Sequence, residues 1–143
     1  MSQPATETWH ASCVAVGSRG LLIIGPSGSG KSSLALALMA LGAALVADDR
    51  VVLTHTPANV IASAPPSLKG LIEARFVGLL HADSVASAPV AAVVDLGTEE
   101  TDRLPYARHT PVLGQSVPLL RAGPQPIFAP ALVQFMKAGR KDV

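Results

Sequence analysis

The stretch LLIIGPSGSGKSSLALALMALG, Leu21–Gly42, constrains this chain more than any other. Leu21–Ile24 reads as a buried strand, and Leu34, Leu38 and Leu41 recur at helical spacing until Gly42, where positive φ is cheap and a helix can stop. Between strand and helix, Gly25, Gly30, Lys31 and Ser32 satisfy G-x-x-x-x-G-K-[ST] in full. Glycines let a backbone wrap an anion with its amides turned inward, and the start of the following helix favours negative charge. Lys31 is expected to reach the β and γ phosphates of a nucleotide and the Ser32 hydroxyl to hold magnesium. Ser27, Gly28 and Ser29 would shape the loop, and Pro26 and Ser33 complete the segment. A glycine turn carrying an exposed lysine would need neither the strand before it nor the helix after it.

Nucleotide binding leaves the reaction open, because phosphate loops serve ATPases, GTPases and small-molecule kinases alike. A guanine-specific site normally shows N-K-x-D, yet the single asparagine, Asn59, is followed by Val60. Motor ATPases use more chain and further sensors than 143 residues provide, so a phosphotransferase is the better match. That length fits one domain with a real core. Hydrophobic residues at 49% and charged residues at 15% argue against disorder, and a net charge of +1 offers no footprint for nucleic acid or a membrane surface. Cys13 is the only cysteine, which excludes an internal disulfide. With no signal-like pattern in MSQPATETWH, a cytoplasmic location is expected.

Around the loop the pattern predicts an α/β domain of the P-loop kinase-like kind, with a mixed central sheet, flanking helices and an N-terminal strand hairpin. Trp9–Val16 reads as a strand that turns at GSRG and pairs with LLII. AALVA, VVLT, Val90–Leu96 and VPLL supply further strands, and Ala129–Ala138 a last helix. Gly70–Ala82, GLIEARFVGLLHA, reads either as a strand interrupted by a loop or as a helical turn. Residues 9–138 make the domain, with residues 1–8 and the basic tail 139–143 expected to be frayed.

Asp48 and Asp49 end the apolar run that returns from the loop helix, where a carboxylate meets magnesium or an incoming hydroxyl. Adjacent strand residues point to opposite faces, so their roles should differ; a solvated turn is the plainer alternative. Asp95, closing AAVVD, competes for the metal role. Glu73 and Arg75 in LIEAR suit magnesium and phosphate, or form an ordinary surface pair. His10 opens the first strand, and His55, His81 and His109 lack metal-ligand spacing.

Taken in order, HASCVAV, LLIIGPSGSGKSSLALALMALGA, LVADDRVVL, GLIEARFVGLL and AVVDLG resemble the C-terminal kinase domain of HPr kinase/phosphorylase, in its short form without the N-terminal domain. The resemblance covers roughly residues 9–120. It implies a kinase that uses ATP and Mg2+ to phosphorylate a serine of the phosphocarrier HPr and, in many members, a phosphorylase that reverses this with inorganic phosphate. It makes Asp48 the general base, Asp49 a supporting residue, Ser32 and Glu73 magnesium ligands, Arg75 a phosphate contact and His10 a residue beside the catalytic aspartate. Asp95 loses the metal role, Cys13 has none, and a homo-oligomer is expected, the family's full-length members being hexamers.

Two departures stand out: Pro26 where the family commonly has an acidic residue, and Phe76 where EARG is expected. They make reversal by phosphorolysis less secure than the forward reaction. The rival expectations are a P-loop kinase of a small metabolite, which needs an enclosed acceptor pocket, and a nucleotide-binding regulatory module with little turnover.

Overall fold

The chain is described over residues 5–141 of a computed structural model. Its strands are β1 (Thr6–Trp9), β2 (Ser12–Val16), β3 (Arg19–Ile24), β4 (Ala44–Ala47), β5 (Val51–His55), β6 (Val60–Ser63), β7 (Leu71–Ala74), β8 (Gly78–His81), β9 (Ser87–Glu99), β10 (Arg108–Val112) and β11 (Gln115–Ala122). Helices α1 (Lys31–Ala40) and α2 (Phe128–Ala138) complete it. The large sheet runs β1-β5-β6-β9-β3-β2-β4, and β11 with β10 joins it through β9; β7 and β8 form a separate hairpin. The sheet is mixed as expected, because β3 and β11 pair with β9 in parallel while the other pairs are antiparallel.

Strand alternation divides the core in two. Cys13, Ala15, Leu22 and Val93 face one side, where Val51, Leu53, Val60 and Ala62 of the β5–β6 arm close over them. Val14, Leu21, Ile23, Ala92 and Val94 face the other, covered by Leu34 and Leu38 of α1 and by Leu132 and Met136 of α2. Both described α-helices therefore lie on one face, and the arm takes the place a helix would hold on the other. The expectation of helices flanking the sheet is met on that one face only.

The hairpin of β2 and β3 matters most for the site. β2 runs antiparallel to β3 and also to β4, so β3 and β4 point the same way with β2 between them. Their carboxyl ends, Ile24 and Ala47, deliver the glycine loop and Asp48 to a common edge.

The expected strand Trp9–Val16 is broken at His10 and Ala11 into β1 and β2. Ala11 donates its amide to the Asp49 carbonyl at 3.3 Å, a bond outside the regular ladder. Within the segment expected to be frayed, Thr6–Thr8 belong to β1 and pair with Val52–Thr54. Residues 1–4 and 142–143 lie outside the described residues. In the tail, Arg140 donates to the Pro105 carbonyl at 3.0 Å. Gly70–Ala82 resolves into β7, a turn and β8, the interrupted strand of the two readings.

Cys13 is wholly buried, and burial pushes its thiol from 9.0 up to about 12. Below pH 9 folded and unfolded chains both keep the proton, so its contribution to stability is complete. Between pH 9 and about 12 only the unfolded chain ionises, and stability is lost as pH rises. Urea midpoints measured at pH 8 and pH 10.5 should fall more for the parent than for Cys13→Ala, and the parent thiol should resist a thiol reagent until the chain is unfolded.

Candidate active site

The glycine loop is held by its own residues. Gly30 stands at φ 98° and ψ 24° ahead of α1, a left-handed conformation in which a side chain is strained, and its carbonyl accepts the Leu34 amide at 2.9 Å. At Gly25, φ is 150° and an added Cβ would lie 2.6 Å from Ser29 Oγ. Lys31 turns back across the loop, donating from Nζ to the carbonyls of Gly25 at 2.9 Å and Pro26 at 3.1 Å. The buried ammonium thus sits inside the loop, paired with carbonyl dipoles that an anion's oxygens can replace.

Beneath Ser32 lies Asp48, only 4% exposed. Its Oδ1 accepts the hydroxyls of Ser32 and Ser12, each at 2.7 Å, and its Oδ2 accepts the Glu73 amide at 3.0 Å. One carboxylate therefore ties together β2, the start of α1, the end of β4 and β7. Asp49 turns the other way at φ 69° and is solvent-exposed, with Oδ1 2.9 Å from His10 Nε2. The two aspartates do differ in environment, but not by strand alternation: β4 ends at Ala47, and both lie in the bend that follows it, where the left-handed backbone of Asp49 sends its side chain outward.

A cavity of about 260 Å³ opens here, lined by His10, Ser12, Ser27, Gly28, Gly30, Lys31, Ser32, Ser33, Asp49, Glu73 and Arg75. Gly25, Pro26, Ser29 and Asp48 do not line it; Gly25 and Pro26 reach it through Lys31, and Asp48 through Ser12 and Ser32. Two of its cationic groups, Lys31 and Arg75, and the carboxylates of Asp49 and Glu73 share this one opening. Among the described residues no three His, Cys, Asp or Glu side chains cluster to hold a metal by themselves. Magnesium is commonly held by one or two protein oxygens together with substrate phosphates, and the Ser32 hydroxyl and Glu73 carboxylate suit that donor set.

Asp95 is not among the residues lining the cavity: it pairs with Ile24, directly before the glycine loop, and its Oδ1 accepts the Gly97 amide at 2.8 Å, so it stands behind the loop. Ser12 is the site residue that sequence reasoning missed. The available signal was a hydroxyl in the otherwise apolar strand SCVAV, which on a face buried beneath α1 demands a partner.

The site and fold define a mixed-sheet α/β domain with a glycine loop, lysine and serine set against a strand-end aspartate. Residues 3–89 match the model of the HPr Serine kinase C-terminal domain, and the chain belongs to that family. An HPr kinase/phosphorylase of Mycoplasmopsis pulmonis is 42% identical over 76 residues, 53% of this chain and 25% of the relative. The Bordetella pertussis HPr kinase/phosphorylase is 47% identical over 76 residues, covering 52% and 25%. The chain thus spans about a quarter of the length of these curated relatives. The structure of the Hpr(Ser) kinase/phosphatase from Coxiella burnetii superposes with a TM-score of 0.77 at 26% identity, over 92% of this chain and 88% of that one.

Asp48→Ala removes the acceptor of three donors and leaves the buried Ser12 hydroxyl unpaired. It should destabilise the fold by about 3 kcal/mol in denaturant titrations, whereas Asp49→Ala, at an exposed position, should change stability by less than about 0.5 kcal/mol.

Proposed function

We propose that this chain is an ATP- and Mg2+-dependent kinase of the P-loop kind that phosphorylates a serine of the phosphocarrier HPr. The observation that carries the reading is the Lys31-filled glycine loop opening, through Ser32, onto a cavity shared with Asp49, Glu73 and Arg75. In it the serine oxygen of the acceptor forms a bond to the γ-phosphorus of ATP, the bond to the ADP oxygen breaks, and a protein carboxylate takes the hydroxyl proton. Lys31 and Arg75 offset the charge that spreads over the transferred group, and the loop amides and Ser27–Ser33 hold the nucleotide. Magnesium would be held by Ser32 and Glu73 and would neutralise part of the phosphate charge of the nucleotide.

Which carboxylate takes the proton separates two readings. The family resemblance assigns it to Asp48. The geometry favours Asp49, because Asp48 is buried with both oxygens engaged while Asp49 and its partner His10 line the cavity. We assign the proton to Asp49, its orientation to His10, and the placement of Ser32 to Asp48. Running backwards, inorganic phosphate would take the phosphoryl group from phosphoserine and leave pyrophosphate. A cytoplasmic site of action and assembly into homo-oligomers belong to the same proposal.

The purified chain incubated with ATP, magnesium and HPr from the same organism should add one phosphate to an HPr serine, read by mass spectrometry. Asp49→Asn should lower kcat by about 10²- to 10⁴-fold with the magnesium requirement unchanged, and Asp48→Asn should chiefly raise the magnesium concentration needed for half-maximal rate. The opposite pattern returns the proton to Asp48. Unmodified HPr beside a phosphorylated metabolite would establish the small-molecule kinase instead, and nucleotide binding without any transfer the regulatory module.

A further inference from the structure

The β7–β8 hairpin has two unlike faces. Ile72 and Leu80 are cross-strand partners and join the core beneath α1. One step along, Glu73 and Leu79 are partners on the opposite face, the face from which Glu73 reaches the cavity. Leu79 is 66% exposed there. The turn adds Phe76 and Val77, the first fully exposed and the second 74% exposed, immediately after the cavity residue Arg75. Three large apolar side chains thus border an opening whose own lining is polar and charged.

Folding does not account for the arrangement. Phe76 stands at φ 70°, in the left-handed region where glycine is unstrained and a large side chain is rare, and its ring packs against nothing that burial would reward. The Val77 amide closes the turn onto the Ala74 carbonyl at 3.0 Å, so the tip is a defined turn. A hydrophilic metabolite seated in the cavity would gain nothing from an apolar ledge outside it. A protein delivering a serine hydroxyl to the same cavity must lay its surface over the rim, and would cover this ledge as it did so.

We propose that Phe76, Val77 and Leu79 form a docking ledge for the protein acceptor, engaging an apolar patch beside the serine that is phosphorylated. The inference rests on the kinase reading above and narrows it: the acceptor is recognised by its surface outside the reacting cavity. A second copy of the chain seated on the ledge would overlie the mouth of the cavity and obstruct the acceptor, so the protein substrate is the assigned occupant. The ledge serves binding and leaves the transferred group to Lys31 and its neighbours.

Steady-state kinetics with HPr as acceptor test this with Phe76→Gly, which relaxes the left-handed turn, and Leu79→Ser, which leaves the turn unchanged. Each should raise the acceptor KM by about tenfold, with kcat at saturating acceptor and the affinity for ATP unchanged. Circular dichroism and thermal unfolding of both variants should match or exceed the parent. An unchanged acceptor KM in both variants overturns the ledge while leaving the kinase intact. Failure of the parent chain to phosphorylate HPr overturns the kinase reading and, with it, this choice of occupant. A shift in sedimentation toward smaller species without a change in KM assigns the ledge to a second copy and overturns the proposal.

Discussion

The Asp48 carboxylate organises this molecule. It is one of the few charged groups the core admits, and it stays there because Ser12, Ser32 and the Glu73 amide supply donors to both oxygens. A carboxylate withdrawn from water is tolerated only when its lone pairs are so engaged. Those three donors come from β2, α1 and β7, so satisfying one charge fixes the relative placement of three elements. The cavity exists where it does because these elements meet there.

Topology brings that carboxylate to the loop. Interposing β2 between β3 and β4 leaves the two strands pointing the same way, one releasing the glycine loop and the other ending at Asp48. The intervening helix α1 buries Leu34 and Leu38 against the sheet, and its first residue is the lysine the loop encloses. Packing energy from an apolar helix face thereby holds a charged residue in register with an acidic one 17 positions later.

The loop, its helix and the aspartate pair were legible because each is specified locally, by glycine spacing, by a leucine period and by an apolar run that stops at a charge. Other features depend on partners distant in sequence. The break at His10 and Ala11 follows from Asp49, 39 positions from His10, which engages both residues. Placement of both helices on one face depends on the β5–β6 arm closing the other, which no local period encodes. Ser12 stood out as a hydroxyl in an apolar strand, but its partner Asp48 lies 36 positions away, and the choice of the interrupted strand over a helical turn in GLIEARFVGLLHA rests on the left-handed turn at Phe76.

Pro26 shows how such a departure can be absorbed. It lacks an amide to offer an anion, yet its carbonyl accepts both the Ser29 amide and the Lys31 ammonium, so the loop still uses it as a structural acceptor. Its ring lies against Gly97 of β9, where an added Cβ would come within 3.1 Å of Pro26 Cδ, and Asp95 fixes the Gly97 amide behind it. The loop is therefore backed by the central strand and held in shape by its own residues. For the nucleotide binding proposed above, rigidity of this kind would reduce the ordering cost and offset part of what a missing amide would have contributed.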